Sequence, residues 1–298
     1  MELKPKQVGR SETSVSPMQT LKTLSYNPGL MAVARKLHLT KTLRKCYQWV
    51  TGGRHNILKV GLGSFDVFFH VHNPLEYRTI EQCYIGYERD FIDVLLSSLV
   101  AGGVVLDVGA NIGQFTLPLA MQVGSLGQVI AVEPEVNARA QLEANLSLNR
   151  LSNVRVLGMA FGEKQGEGRL AWMEGTCPAV AQTISEAPQP SISATSGVEI
   201  VTVEMGDEVL DRECLPVPAA AKIDVEGYEF HVIRGLRRTL SNLSCRLLCC
   251  EIHPAFLPSG INPQTVIDEV KGLGFNNVVL HERSGQIHMV ARKDQALK

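Results

Sequence analysis

A glycine-rich turn and a distant carboxylate are the residues that most directly suggest chemistry. The turn Gly109-Ala-Asn-Ile-Gly113 follows the apolar run Val104–Val108, and Glu133 comes twenty residues after the last glycine. Glycine lacks a Cβ, so such a turn lets the backbone approach a ligand closely. A carboxylate at the end of the next strand can accept hydrogen bonds from both hydroxyls of a ribose. The pattern predicts a nucleoside-binding half of an α/β fold.

The spacing of the glycines separates two classes of cofactor. Gly109 and Gly113 form a Gly-x-x-x-Gly pattern, whereas pyrophosphate-binding dinucleotide folds use Gly-x-Gly-x-x-Gly. An acidic residue, Asp107, also lies inside the strand just before the turn. Both features favour a cofactor without a pyrophosphate, such as S-adenosylmethionine, over NAD. A nicotinamide-dependent oxidoreductase on the same type of sheet is the alternative enzyme.

A second group of charged residues lies further along the chain. Charges recur at every second position in Lys222-Ile-Asp-Val-Glu226, so these side chains share one face of a strand. The next predicted strand ends with a carboxylate and a histidine that also share a face. Carboxyl ends of neighbouring parallel strands meet at one sheet edge, where ligands bind. We expect four residues to converge there: Asp224, Glu226, Glu251 and His253.

This convergence admits two ways of activating a hydroxyl. His253, oriented by Asp224 or Glu251, can act as a general base. Alternatively, Asp224, Glu251 and His253 can hold a divalent cation such as Mg²⁺, which lowers the pKa of a bound hydroxyl. The purely structural alternative is an ion-paired network, for example Lys222 with Glu251, that only fixes the strand ends.

Alternating strands and helices are predicted to position these residues. The predicted strands are Val104–Val108, Gln128–Val132, Val154–Gly158, Ala220–Val225, Leu247–Ile252, Asn277–Leu280 and Gln286–Ala291. Such alternation predicts an α/β fold with a mostly parallel, doubly wound, seven-stranded sheet. The last two strands are expected to form an antiparallel C-terminal pair. Residues 56–72 predict a hairpin, and helices are predicted at 87–100 and 115–123.

Two segments lie outside this alternation. Residues 163–198 are rich in Gly, Pro, Ser and Thr and too long for an ordinary connection, which predicts a loop insert or lid. Residues 1–55 are predicted to be a basic, partly disordered extension with an amphipathic helix between Pro28 and Val50. Residues 56–298 are expected to form the catalytic domain.

Charge is distributed unevenly, although the formal net charge of the chain is only −1. Residues 1–60 hold eleven Lys and Arg against two Glu, and the remaining residues hold eighteen against twenty-eight Asp and Glu. The basic segment is either a solvated, partly disordered leader or a contact to an anionic partner, namely a membrane surface, nucleic acid or an acidic glycan. Nucleic acid is not the expected partner, because the basic residues are not interleaved with stacking aromatics.

Cysteine usage favours a cytoplasmic protein. The seven cysteines are odd in number and scattered, which argues against a disulfide framework. The N-terminus is basic but lacks an apolar signal core. We therefore expect a cytoplasmic protein, with peripheral contact to the membrane as an option that the basic segment leaves open.

Four blocks of the sequence resemble the FkbM family of S-adenosylmethionine-dependent methyltransferases. They are Tyr87-Glu88, Leu106-Asp-Val-Gly-Ala-Asn-Ile-Gly113, Ala131-Val-Glu-Pro134 and Lys222-Ile-Asp-Val-Glu-Gly-Tyr-Glu229, with Cys250-Glu-Ile-His253 as a weaker fifth. The Lys222 block is the most specific, and the resemblance covers roughly residues 84–254. It implies a Rossmann-like class I methyltransferase fold and O-methylation of a hydroxyl on a sugar, glycan or polyketide-type metabolite.

The resemblance also implies roles for individual residues. The turn would cradle the methionine part of the cofactor, Glu133 would hold the ribose, and Ala160 and Phe161 would lie near adenine. Glu88 and Asp224 would face the methionine amine. The implied cofactor residues are Glu88, Asp107, Gly109, Ala110, Asn111, Gly113, Glu133, Ala160, Phe161 and Asp224. A non-catalytic cofactor-binding module, recruited to a membrane or glycan assembly, is the rival from another functional class.

Overall fold

The computed structural model describes residues 56–72, 74–84, 86, 88–173, 183–185 and 195–294. The chain divides into a unit of residues 1–56 and a compact unit of residues 57–298. The predicted amphipathic helix and the membrane contact of the basic segment therefore lie outside the described residues. No helix within the described ranges is long and apolar enough to cross a membrane.

The described elements alternate between strands and helices along most of the chain. The strands are β1 (Asn56–Leu62), β2 (Phe65–Val71), β3 (Val104–Val108), β4 (Gln128–Val132), β5 (Val154–Leu157), β6 (Ala160–Gly162), β7 (Gly166–Met173), β8 (Thr183–Ser185), β9 (Thr195–Met205), β10 (Ala220–Ile223), β11 (Leu247–Ile252), β12 (Asn277–Arg283) and β13 (Gln286–Arg292). The helices are α1 (Pro74–Tyr84), α2 (Arg89–Ser98), α3 (Thr116–Val123), α4 (Val136–Leu148), α5 (Gly206–Arg212), α6 (Glu229–Gly235), α7 (Arg237–Ser241) and α8 (Pro263–Gly272).

A seven-stranded sheet organises the described part of the chain. Its strand order is β12-β13-β11-β10-β3-β4-β5. The strands from β11 to β5 run parallel, whereas β13 is antiparallel to both β11 and β12. The predicted doubly wound sheet with an antiparallel C-terminal pair is confirmed. The predicted hairpin is also present, as the separate two-stranded sheet of β1 and β2.

Two apolar cores lie on opposite faces of the large sheet. Successive residues of a strand point to opposite faces, so Leu106 of β3 packs into one core and Val105 into the other. Helices α6 and α8 contribute to the first core, and α2, α3 and α4 contribute to the second. Because both faces are covered, the central strands read in the sequence as continuous apolar runs.

The segment predicted as a loop insert or lid contains strands instead. Strands β7 and β8 and the start of β9 fall within 163–198, and with β6 they form a four-stranded sheet of order β6-β9-β7-β8, here called the arm. The prediction of a plain loop is wrong for these strands, because antiparallel pairing of β7 with β9 satisfies their backbone. The arm is packed tightly at its base, where a Cβ on Gly235 of α6 would lie 1.9 Å from the carbonyl oxygen of Gly162. A role as a lid stays a prediction.

The ends of β3 and β10 approach each other closely at Gly109. This residue has a φ of +81°, and a Cβ built on it would lie 1.8 Å from the backbone oxygen of Asp224. Only a residue without a side chain lets the two strand ends meet in this way. The first glycine of the turn is therefore fixed by the neighbouring strand, before any ligand is considered.

Two glycine substitutions distinguish the energetic cost of a collision at Gly109 from the cost of a positive φ alone. Gly102 also has a positive φ, of +79°, but a Cβ there meets nothing within 4 Å. We expect Gly102→Ala to lower the free energy of unfolding by about 1 kcal/mol, the cost of a left-handed alanine. Gly109→Ala adds a collision with backbone and should cost at least twice as much. Urea unfolding of both variants measures the difference, and equal losses would contradict the described contact.

Candidate active site

A cavity of about 330 Å³ lies at the carboxyl ends of the central strands. It brings together most of the residues that the sequence singled out. Those in its wall are Glu88, Gly109, Ala110, Asn111, Glu133, Lys222, Asp224, Glu226, Glu251 and His253. The predicted nucleoside site and the predicted charged convergence therefore belong to one cavity.

Asp107 and Gly113, both predicted to bind the cofactor, lie behind the wall of this cavity. Asp107 is fully buried, where its Oδ2 accepts a hydrogen bond of 2.6 Å from the hydroxyl of Thr116. Gly113 has a φ of +101°, and a Cβ there would lie 2.1 Å from Cδ1 of Leu117. These residues hold the turn and α3 in place, and the prediction that they touch the cofactor does not fit the described cavity.

Ala160 and Phe161 are also absent from the described wall. Both belong to β6 and are buried in the first apolar core, at 3% and 1% exposure. The chain continues from β5 directly into the arm, and pairing of β6 with β9 turns these side chains into the core. The predicted position beside adenine is therefore not supported by the cavity that the structure shows.

Glu133 sits where the sequence predicted a ribose-binding carboxylate. Its Oε1 accepts a hydrogen bond of 2.9 Å from the N–H of Glu135, and its Oε2 accepts one of 2.8 Å from the N–H of Asn111. Asn111 presents that N–H because it adopts a φ of +50°. Burial raises the pKa of Glu133 to about 7, although these two backbone donors oppose the shift. Each carboxylate oxygen keeps a further lone pair for a hydroxyl donor.

A buried ammonium group holds the centre of the site. Lys222 Nζ lies 3.4 Å from Oδ1 of Asp107 and 3.3 Å from Oδ2 of Asp224, and it donates a hydrogen bond of 2.9 Å to the carbonyl of Gly109. Burial lowers the pKa of Lys222, but the two carboxylates outweigh it and hold the pKa above the ordinary value. Glu251, the partner suggested by the structural alternative, is not among the ion pairs of Lys222 in the described chain.

His253 is oriented by a carboxylate that the sequence reasoning missed. Its Nδ1 lies 2.7 Å from Oε1 of Glu229, which also accepts a hydrogen bond of 2.8 Å from the N–H of Gly227. Glu229 is fully buried at the first turn of α6. The prediction that Asp224 or Glu251 orients the ring is wrong. The available signal was the position of Glu229 at the end of the Lys222 block.

The other ring nitrogen of His253 lies within 4 Å of three carboxylates. Nε2 lies 3.4 Å from Oε2 of Glu226 and 3.9 Å from Oδ1 of Asp224. Glu251 lies 3.8 Å from Nε2, but its Oε1 is closer to Nε2 of His288, at 3.3 Å. One donor atom from each of Asp224, Glu226 and His253 falls within 4.8 Å of the others. Glu226 thus takes the place that the sequence-based cation site gave to Glu251.

Too many carboxylates face this cavity for all of them to ionise easily. Burial, with the charges of Glu251 and Asp224, raises the pKa of Glu88 to about 8. Burial also raises the pKa of Glu226 to about 7, although His253 opposes it. Burial lowers the pKa of His253, but Glu229 and the other carboxylates raise it to about 10. A histidine that keeps its proton at neutral pH is poorly prepared for the predicted role of general base, and the cavity as a whole favours cationic ligands.

Comparisons with known proteins show which family of sequences this chain matches. Residues 107–275, more than half of the chain, match the family model described as the methyltransferase FkbM domain. Hexuronic acid methyltransferase AglP of Haloferax volcanii is 26% identical over 231 residues, which are 76% of this chain and 87% of that protein.

Two solved structures show more distant likeness. An S-adenosylmethionine-dependent O-methyltransferase of Thermotoga maritima is 14% identical with a TM-score of 0.43, covering 82% of this chain and 80% of its own. An rRNA methylase of Streptococcus thermophilus is 16% identical with a TM-score of 0.44, covering 69% and 95%. Likeness at this level says nothing about the site.

The raised pKa of Glu133 predicts a pH dependence of cofactor binding. Ribose hydroxyls donate to the ionised carboxylate, so a ligand must displace the proton that Glu133 holds below pH 7. The dissociation constant of S-adenosylhomocysteine should therefore rise by up to about tenfold per pH unit as the pH falls below 7. Calorimetric titration between pH 5.5 and pH 8.5, at intervals spanning the pKa of Glu133 (about 7), measures this change.

Two variants test whether Glu133 causes the pH dependence of cofactor binding. Glu133→Gln should bind more weakly at every pH and lose the weakening below pH 7. Glu88→Gln removes a carboxyl whose pKa lies near 8, so it should keep the loss of affinity at acid pH. If Glu133→Gln retained the full acid-side weakening, the carboxylate would not be the group that holds the ribose.

The buried ammonium predicts a large stability effect. Lys222→Met would leave the carboxylates of Asp107 and Asp224 without their cation. Removing one partner of a buried pair costs about 3–5 kcal/mol, which urea unfolding would detect. Adding Asp107→Asn removes one of the orphaned charges and should restore part of the loss. A cost below about 1 kcal/mol for the single variant would show that the carboxylates find other partners.

Proposed function

This chain belongs to the FkbM family of methyltransferases, and we propose that it methylates a hydroxyl of a sugar or glycan. Membership makes it an S-adenosylmethionine-dependent methyltransferase with the Rossmann-like class I fold. The observation that carries this proposal is one cavity that contains the turn at Gly109, Glu133 and the charged group around His253. The relative from Haloferax volcanii, which by its name acts on a hexuronic acid, favours a sugar over a polyketide-type metabolite.

The cavity suits the charge and the donors of S-adenosylmethionine. Its ribose hydroxyls would donate to Glu133, and its amine would face Glu88. When bound, the cofactor supplies a methyl group whose bond to sulfur breaks as a bond to the acceptor oxygen forms, and the sulfur keeps the electron pair. The positive charge of this ligand also relieves the crowding of carboxylates that raises the pKa of Glu88.

The residues of the chain position the acceptor and help remove its proton. An alcohol holds its proton at neutral pH, so its oxygen needs assistance before it attacks a methyl group. Asp224, Glu226 and His253 line the same cavity as Glu133, where the two carboxylates can accept a hydrogen bond from the hydroxyl and the charged ring of His253 lies 3.4 and 3.9 Å from them. Glu229 is a positioning residue, because it fixes the ring of His253 through Nδ1 and touches the reaction only through it.

A hydroxyl acceptor fits this cavity better than a carboxylate acceptor. A hexuronic acid offers both groups, and a carboxylate needs no deprotonation. It would, however, approach the negative side chains of Asp224, Glu226 and Glu251 and be repelled by them. A sugar hydroxyl carries no charge and gains from neighbouring acceptors. Ester formation on a uronic acid is therefore the second candidate.

Three further predictions from the sequence concern another enzyme class, the location of the protein and its contact with a membrane. Membership of a methyltransferase family removes the nicotinamide-dependent oxidoreductase. A cytoplasmic location stays a proposal, supported by the free cysteines 83, 214, 245, 249 and 250 among the described residues. Peripheral membrane contact through residues 1–55 stays a proposal supported by their charge.

Methyl transfer from labelled S-adenosylmethionine tests the proposal. The acceptors would be neutral oligosaccharides and oligosaccharides containing hexuronic acid, with products analysed by mass spectrometry before and after mild alkali. A methyl ether survives alkali, whereas an ester is hydrolysed. We expect an alkali-stable product and a rate loss of at least about 100-fold in His253→Asn.

Matched controls decide how a failure is interpreted. His281→Asn changes an exposed histidine of β12 outside the cavity and should keep the wild-type rate. His253→Asn should still bind S-adenosylhomocysteine, which shows that the fold is intact. An alkali-labile product would replace hydroxyl methylation by esterification. Cofactor binding without any methylated product would favour the non-catalytic module.

A further inference from the structure

We propose that Asp224, Glu226 and His253 bind a divalent cation such as Mg²⁺ or Mn²⁺ in the wall of the cavity. These three side chains supply the donor atoms of the site. The role of the cation, activation of the acceptor hydroxyl, rests on the proposed function.

The donor atoms are already close to the spacing that a small cation requires. His253 Nε2 lies 3.4 Å from Oε2 of Glu226 and 3.9 Å from Oδ1 of Asp224, and all three atoms lie within 4.8 Å of one another. Ligand atoms bonded to Mg²⁺ at about 2.1 Å stand about 3 Å apart when adjacent and about 4.2 Å apart when opposite. The observed separations fall largely within that range, so small side-chain movements complete the site.

His253 points independently to a ligand. Its side chain is only 2% exposed, and Nε2 has no hydrogen-bond partner among the described residues. The opposite nitrogen, Nδ1, lies 2.7 Å from the carboxylate of Glu229. A histidine that binds a metal through one nitrogen commonly donates the other N–H to a carboxylate, which fixes the tautomer. The ring is therefore held with Nε2 directed at the two carboxylates, and a cation that binds there would displace the proton from this nitrogen.

Each carboxylate of the site has an oxygen to spare. Oδ2 of Asp224 is paired with Lys222 at 3.3 Å, which leaves Oδ1 on the side of His253. Glu226 has a φ of +51°, a left-handed conformation that is costly for a residue with a side chain. That backbone turns Glu226 back toward the ring. Glu251 is not one of the three, since its Oε1 lies closer to Nε2 of His288, at 3.3 Å, than to Nε2 of His253, at 3.8 Å.

The charge of the cavity also calls for a cation. Within the described wall, five carboxylates face the ammonium of Lys222 and the ring of His253; the carboxylates are Glu88, Glu133, Asp224, Glu226 and Glu251. Lys222 is shared with Asp107, which lies behind the wall. A divalent cation at His253 would balance two of these charges. It would also lower the pKa of a neighbouring acceptor hydroxyl, whose proton then passes to water.

Titration of the full chain with Mn²⁺, followed by electron paramagnetic resonance, tests the site without any acceptor. The protein would first be freed of metal with EDTA and dialysed. We expect one saturable site, and Glu226→Gln should raise its dissociation constant at least about tenfold. The comparison variant Glu251→Gln removes a charge from the same cavity without removing a ligand, and it should raise the constant less than Glu226→Gln does.

Binding of S-adenosylhomocysteine by each variant shows that the protein is folded. Absence of a saturable site in the wild type would overturn the proposal, and so would equal Mn²⁺ affinity of wild type and Glu226→Gln. Methyl transfer in EDTA at the rate seen with Mn²⁺ would overturn the role of the cation. If Mn²⁺ binds as expected and no hydroxyl is methylated, the site stands and the proposed function fails.

Discussion

The ammonium of Lys222 is the interaction on which the rest of the site depends. It lies between carboxylates from two neighbouring strands, Asp107 on β3 and Asp224 just past β10, and it also binds the carbonyl of Gly109. Buried carboxylates are costly to desolvate, so neither strand could end in this way without a shared cation. The same contact holds the cofactor turn against the strand that carries the charged residues. Cofactor and acceptor residues are thereby positioned by one side chain.

The geometry around His253 follows from how the chain leaves β10. The strand stops at Ile223, and Glu226 and Gly227 adopt positive φ values of +51° and +102°. This reversal lets α6 begin at Glu229, directly behind the ring of His253 at the end of β11. Parallel pairing of β10 with β11 brings the two strand ends side by side. The imidazole is thus held between a helix start on one side and strand-end carboxylates on the other.

The sequence predicted regular features well because they depend on local periodicity. Strands β3, β4 and β11 have the predicted ends, and the convergence at the carboxyl edge follows from side-chain alternation. The sequence could not predict that Glu229 orients His253. The first residue of a helix and the residue after a strand meet only through tertiary packing. For the same reason, the sequence could not show that Glu226, and not Glu251, completes the group with Asp224 and His253. That outcome depends on the contact of Glu251 with His288 of β13, which is far along the chain. The strands of the arm were hidden by a composition rich in Gly, Ser and Pro, which ordinarily marks loops.

The arm contributes to the cavity through Leu170 of β7, which is almost fully buried. The remaining polar wall comes from the large sheet and the helices that flank it. The strand ends and the arm therefore differ in how much a substitution in each would disturb the cavity. The strand ends must keep their charges and their glycines, since each depends on several others. A change in the described outer strands of the arm would reach the cavity through the apolar side chain of Leu170 and would leave its charged groups in place.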